Sequence, residues 1–235
     1  RASLAEYDTR LTAEGVMPIY RPPTPLTTLL NEVANQRPDW RMGCVAETEK
    51  YAHITYFFDG RSEARRSEVT YCLIPSDKQK SYAVASAMQA AKITDQICAW
   101  LDDKSLVVAN FANADMVGHS GDFEATVKAC EELDRQLARL YQEVVLARGG
   151  ILMVTSDHGN AECMRTPAGV AVTSHTANPV PLLIVGANGA LRAGDFGLSV
   201  VAPTVLQLLG LQVPVGMERG LLLFSESLGQ GAAVS

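Results

Sequence analysis

Read for its alternation of apolar and polar positions, the chain is a series of short apolar runs separated by stretches of helical periodicity. Leu106 to Phe111 is an apolar run rich in β-branched residues, which predicts a buried strand. Ile151 to Thr155 and Val180 to Val185 have the same character, and Arg41 to Ala46 and Val69 to Leu73 predict two more strands. Ile54 to Phe58, β-branched and aromatic, reads as a further strand. Gly15 to Tyr20 predicts a short one weakened by Pro18. Helical patterns fill the intervals. Thr24 as N-cap and Pro25 in the first turn open a helix with Leu26, Leu29, Leu30 and Val33 on one face. From about Ser86 to Leu101, Met88, Ile93, Ile97 and Trp100 share a face. Asp122 caps a long helix with an apolar stripe through Phe123, Val127, Cys130, Leu137, Leu140 and Val144, and Gly149 and Gly150 stop it. Ser199 caps a last helix, with Pro203 early, Val201, Val205 and Leu208 inward, and Gly210 at its end. Strands alternating with helices predict an α/β fold whose central sheet is mostly parallel and flanked by helices.

Composition narrows this picture. The 235 residues suffice for one large α/β domain or two small ones, and a 47% hydrophobic content can bury a proper core. The net charge is −6 and the longest basic cluster is Arg65-Arg66, which argues against nucleic acid as a partner. An anionic substrate would need a locally positive site, built from metal or a few placed cations. No apolar run approaches the ~18 residues of a membrane helix, and no signal-peptide pattern opens the chain. Cys44, Cys72, Cys98, Cys130 and Cys163 are odd in number, lack CxxC pairing and mostly sit in apolar patterns, so they read as reduced core residues of a cytoplasmic protein. Residues 1 to 15, polar and without periodicity, look like a connector. The chain starts at Arg1, which raises the expectation that it belongs to something longer.

The candidate chemistry lies where apolar runs end. Asp115 and His119 follow the Leu106 strand on what reads as a loop, with Gly118 and Gly121 lending it backbone freedom. A carboxylate and an imidazole at a strand's carboxyl end suit a ligand site in an open α/β sheet, and the pair is a ligand mix for Zn²⁺ or a similar divalent metal. Further ligands must come from elsewhere. Asp157 and His158 repeat the design after the Ile151 strand, and His175 precedes the Val180 strand. Three of the four histidines thus sit at strand edges, which scattered core histidines would not do. His53 could be a ligand, but its place at the head of the apolar run at Ile54 favours a hydrogen-bonded structural histidine. Lys50 reads either as a surface lysine paired with Glu47 or Glu49, or as a cation facing a phosphate. Ser76 and Lys78 fit turn chemistry as well as substrate contact. Arg165 to Val172 is a Gly- and Pro-containing loop able to fold over the site.

Four segments carry a resemblance: Glu47 to His53 (ETEKYAH), Asn110 to Gly121 (NFANADMVGHSG), Ser156 to Glu162 (SDHGNAE) and Ser174 to Pro181 (SHTANPVP). In these the chain resembles the cofactor-independent phosphoglycerate mutases of the alkaline phosphatase superfamily. Weaker similarity, at Ala202-Pro-Thr and Leu208-Leu-Gly, extends it almost to the end. The resemblance implies an alkaline-phosphatase-like fold and two divalent metal ions, usually Mn²⁺, with Zn²⁺, Co²⁺ or Mg²⁺ as alternatives. It implies Asp115, His119 and His175 on one ion, Asp157 and His158 on the second, and Lys50 between the metals and a phosphate. The implied reaction interconverts 3-phosphoglycerate and 2-phosphoglycerate through a phosphoserine.

That family also uses a serine and an aspartate from an amino-terminal segment, and an inserted transferase domain, for which no counterpart is recognisable here. No serine of this chain, Ser120 and Ser156 included, can be nominated as nucleophile. Ser76-Asp77-Lys78 also departs from the family's Ser-Pro-Lys. The expectation is therefore a carboxyl-terminal portion. Residues 1–15 would end a connector from the transferase domain, and 16–235 would form most of the phosphatase-like domain, inactive alone. The alternatives are another metal-dependent phosphohydrolase or phosphopentomutase, and a non-catalytic metal-binding module. A mononuclear iron oxygenase would leave Asp157 and His158 without a place.

Overall fold

The computed structural model describes residues 2–5, 17–20, 37, 39–61, 66–78 and 81–223. Near the amino terminus, β1 (Ala2–Ala5) pairs in parallel with β2 (Met17–Tyr20), so the expected connector holds a short strand and the strand expected at Gly15 to Tyr20 is present. The helix expected from Thr24 lies outside the described residues.

The sheet that positions the site is built around β3 (Met42–Glu47). It pairs in parallel with β4 (Val69–Ile74) on one side and with β5 (Leu106–Asn110) on the other. All six residues of β3 are buried, as a central strand covered on both faces demands. Its alternation divides the core. Met42, Cys44 and Ala46 pack with Trp40, Ile54 and Val69, while Val45 packs with Ile93, Ile97 and Leu140. The second set comes from α1 (Ala90–Trp100) and a later helix. Gly43 lets α1 come close, since a Cβ there would stand 2.5 Å from Cε3 of Trp100.

After β5 the chain forms α2 (Asn113–Gly118) and then α3 (Phe123–Leu140), which Asp122 caps by accepting from the Ala125 amide at 3.0 Å. A wider helical turn over Tyr141–Leu146 continues it, and Gly149, at φ 63°, ends it. β6 (Leu152–Thr155) follows and runs antiparallel to β7 (Leu182–Val185). This pair departs from the mostly parallel expectation because residues 156–181 contain no crossover helix to carry the chain back in the same direction. β8 (Ala190–Leu191) and β9 (Leu222–Leu223) also pair antiparallel, and α4 (Val201–Leu208) buries Leu206 against Phe58, Leu106 and Leu211.

Four local expectations need correction. Ile54 to Phe58 is helical, because Ile54 is drawn into the core beside Trp40 and Met42 while the turn begun at Thr48 continues through His53–Phe57. β-propensity yields to packing there. The helix expected from Ser86 starts at Ala90, after a tight turn over Tyr82–Ala85 capped by Ser81. On α3 the buried face runs through Ala125, Thr126, Ala129, Gln136 and Leu140, and Phe123 and Val127 remain exposed. Small residues let α3 approach its neighbours more closely than the larger apolar stripe would. Ser199 does not cap α4; its hydroxyl donates to Glu218 at 2.6 Å.

Candidate metal centre

The carboxyl ends of β3, β4 and β5 lie at one edge of the sheet, and the polar residues that follow them meet there. Glu47, the last residue of β3, is 1% exposed. Its Oε2 accepts from the Ser76 hydroxyl at 3.0 Å, and the Ser76 amide donates to Thr48 Oγ1. Desolvation pushes the Glu47 carboxyl up from its ordinary pKa, against the Ser76 hydrogen bond that lowers it. The tight turn over Thr48–Lys50 then aims Lys50, itself buried, into the edge.

Asp115 and His119 stand on α2 and its C-cap rather than on the expected loop. Asn113 anchors this helix by donating from Nδ2 to the carbonyls of Ser86 and Ala87, at 2.9 and 2.8 Å. One helical turn between positions 115 and 119 puts carboxylate and imidazole on the same side. Gly118 is helical and buried, and it serves close packing rather than bending: a Cβ would meet Asn160 Oδ1 at 2.6 Å. Gly121, at φ 73°, does make the expected turn.

His175 completes a triad. Asp115 Oδ1 lies 3.1 Å from His119 Nε2 and 3.2 Å from His175 Nε2, and the two Nε2 atoms are 3.1 Å apart. Ligand atoms about 2.0–2.2 Å from a tetrahedral metal stand roughly 3.3–3.6 Å from one another. Adjacent octahedral ligands at about 2.0–2.1 Å stand roughly 2.8–3.0 Å apart. The observed triangle falls between, so its size fits one ion without choosing among metals. Hydrogen bonding argues the same way. His119 Nδ1 is 2.6 Å from the Thr173 carbonyl, so Nδ1 carries a proton and Nε2 is the ring atom that faces the carboxylate oxygen. Bringing a carboxylate oxygen and two ring nitrogens this close calls for positive charge among them, which a metal ion would supply.

Asp115 is tied on both oxygens: Lys50 Nζ contacts Oδ2 at 2.7 Å, and Asn160 Nδ2 donates to Oδ1 at 2.7 Å. Desolvation alone would raise its carboxyl pKa. The Lys50 and Asn160 hydrogen bonds, with the Lys50 and His119 charges, outweigh it and the net shift is downward. Asp157 and His158 lie beside the triad, where His158 stacks on His175 with ring centroids 3.6 Å apart and planes 20° apart. His158 Nε2 is 3.5 Å from Asp157 Oδ2, so the pair offers two donors. Among the described residues, only the cluster of Asp115, His119 and His175 brings together three such donors.

Three participants were not legible as such. His53 is exposed on its helical turn; desolvation first, and the Lys50 charge second, push its imidazole pKa below the ordinary value while Asp157 and Asp115 pull it up, which places it within electrostatic reach of the site. The helix 48–57 turns it there, and a strand reading hid this. Asn160 and Glu162 bond to the ligand segments, although nothing in their spacing announced it.

A family model described as the metalloenzyme superfamily matches residues 26–213. The chain belongs to the metalloenzyme superfamily. Among other metalloenzymes it is 44% identical to the 2,3-bisphosphoglycerate-independent phosphoglycerate mutase of Desulforudis audaxviator, over 94% of this chain and 42% of that protein. It is 41% identical to mutase 2 of Methanosarcina barkeri, over 95% of this chain and 42% of that one. A crystal structure of Leishmania mexicana phosphoglycerate mutase, determined at low cobalt concentration, superposes with a TM-score of 0.83 at 31% identity, covering 95% of this chain and 44% of that one. The metalloenzyme fold described here is thus alkaline-phosphatase-like. The chain spans less than half the length of the curated relatives it matches.

Proposed function

We propose that these residues supply the metal-binding part of a phosphoglycerate mutase that interconverts 3-phosphoglycerate and 2-phosphoglycerate without a bisphosphoglycerate cofactor. The observation that carries this is the convergence of Asp115, His119 and His175 within one ion's reach, with Lys50 on the outer carboxylate oxygen. In this reading the triad holds one divalent ion, and Asp157 and His158 contribute to a second. Mn²⁺ is the metal we favour. Two such ions, when bound, would withdraw charge from a phosphoryl group and acidify a hydroxyl placed between them. Lys50 keeps positive charge beside Asp115 and would share it with a phosphoryl oxygen. His53, at the rim, would face the same group.

The serine that accepts the phosphoryl group, a further carboxylate and the residues that grip glycerate would come from sequence outside these residues. Residues 1–15 would then be the end of a connector and 16–235 the larger part of a phosphatase-like domain. All five cysteines are free thiols, as suits a reducing compartment such as the cytoplasm, although only Cys44 is the buried core residue expected and Cys130 is exposed.

The test is an enolase-coupled assay with 3-phosphoglycerate and Mn²⁺. The chain alone should give no turnover. Turnover should appear when an amino-terminal segment of a related mutase is supplied, and should vanish again with Asp115→Asn. Conversion of pentose phosphates in place of phosphoglycerate, or release of inorganic phosphate alone, would overturn the mutase reading in favour of a phosphopentomutase or a phosphohydrolase.

A further inference from the structure

The candidate ligands come from three segments, two of which have little regular structure of their own to fix them. Asp115 and His119 ride on one short helix, but His158 and His175 lie on the stretch between β6 and β7, which has neither helix nor named strand. His175 is exposed, and its ring stacks on that of His158, which lies on the same irregular stretch. Something must hold residues 157–162 and 173–178 in register with α2.

One carboxylate touches both segments. Glu162 Oε2 accepts from the Asn160 backbone amide at 2.6 Å. Its Oε1 accepts from the Thr176 hydroxyl and from Asn178 Nδ2, the latter at 2.9 Å. Thr176 directly follows His175, and its own amide donates to the Gly159 carbonyl at 2.9 Å. Asn160 passes the constraint to the third segment, donating from Nδ2 to Asp115 Oδ1 at 2.7 Å and to the Asp115 carbonyl at 3.3 Å. Of the partners of Glu162, Thr176 adjoins His175, Asn178 lies three residues past His175, and Asn160 lies two residues past His158 and itself bonds Asp115.

The packing leaves no slack. A Cβ at Gly159 would stand 2.2 Å from Thr176 Oγ1 and 2.4 Å from Glu162 Oε1. Asn160 is 5% exposed and its Oδ1 has no hydrogen-bond partner, so the amide is held by its donor end and by contact with Gly118. The cost of leaving that oxygen unpaired is accepted where the donor end orients Asp115.

We propose that Glu162 is a positioning residue for the metal centre: it clasps the His158 and His175 segments together and, through Asn160, sets the Asp115 carboxylate. This rests on the metal-binding reading above. Groups that orient metal ligands through hydrogen bonds typically change affinity by about 10–100-fold when removed.

The test is calorimetric titration of the 235-residue chain with MnCl₂. Glu162→Gln keeps the size of the side chain but can no longer accept on both ends, and should weaken Mn²⁺ binding by about 10–100-fold. Thr176→Val, which removes the same link from the other side, should weaken binding in the same direction, and Thr176→Ser, which keeps the hydroxyl, should restore it. If Glu162→Gln fails to fold, the Thr176 pair decides. Binding within about twofold of the parent for both Glu162→Gln and Thr176→Val overturns the proposal. Should the parent itself take up no Mn²⁺, the metal reading fails, and amide hydrogen exchange of the metal-free proteins still judges the clasp. Faster exchange in Glu162→Gln confined to residues 159–163 and 173–178 supports it. Unchanged exchange there overturns it.

Discussion

Asp115 shows how a single side chain can be over-determined. A carboxylate that is largely buried has to be compensated, and here Lys50 supplies a full charge at 2.7 Å while Asn160 and the two imidazoles meet the other oxygen. Removing one partner of a buried ion pair leaves the other uncompensated. Lys50→Met should therefore lower metal-free stability by roughly 3 kcal/mol, measured by urea denaturation. The loss should be smaller in excess Mn²⁺, because the ion takes over the compensation; an equal loss in both conditions would argue that Lys50 matters only for packing.

A second residue-scale prediction concerns Cys44. Desolvation first, and the nearby Asp59 charge second, push its thiol pKa from 9.0 up to about 12. A raised folded-state pKa means that the stability tied to this thiol is intact below the unfolded pKa of 9.0 and is lost as pH climbs toward about 12. In that window the unfolded chain sheds a proton that the folded chain keeps, at up to about 1.4 kcal/mol per pH unit. Urea denaturation at pH 8, 9, 10 and 11 should show a shallower alkaline decline in Cys44→Ala than in the parent. Slopes rather than absolute stabilities are the comparison, since the substitution also leaves a small cavity.

At the scale of elements, strands were legible wherever an apolar run ends up paired in a sheet, whether buried throughout, as β3 is, or half-buried, as β5 is. β3, β4, β5, β6 and β7 fall within a residue or two of the apolar runs that announce them. Where packing had a second option, the pattern misled. Ile54 to Phe58 has the composition of a strand, yet the chain must turn immediately after β3 to bring Lys50 to Asp115, and the turn propagates as helix. On α3 the stripe of Phe123, Val127 and Cys130 has helical spacing, but Ala125, Ala129 and Leu140 make the closer contact. The ligands were visible because each sits beside an apolar run, Asp115, His119, Asp157 and His158 after one and His175 before one; the residues that orient them were not, because hydrogen bonds between segments leave no period in a sequence. Gly43 is another position whose role only the fold reveals. Gly43→Ala would drive a methyl into the Trp100 ring and push α1 off the central strand. Overpacking of this kind costs about 1–3 kcal/mol, to be read as a lower urea midpoint with an unchanged denaturant slope.

On the scale of the whole molecule, the site joins segments from two separate strand pairings of the fold. Asp115 and His119 belong with the parallel sheet of β3, β4 and β5, whereas His158 and His175 belong with the β6–β7 pair. An ion held by Asp115, His119 and His175 would cross-link the two, so its binding energy should appear as stability of the entire chain. The size of the effect follows from mass action: at a Mn²⁺ concentration a hundredfold above Kd, the folded state gains about 2.7 kcal/mol. For a chain of this length, each kcal/mol raises the melting temperature by about 2–4 °C, which gives an expected rise of about 5–10 °C in scanning calorimetry. Asp115→Asn should abolish that rise, because the amide loses the charge that both imidazoles face, while Lys50 and Asn160 still occupy the same volume. A melting temperature that is the same in EDTA and in saturating Mn²⁺ would mean that the two imidazoles and the carboxylate meet for some reason other than an ion.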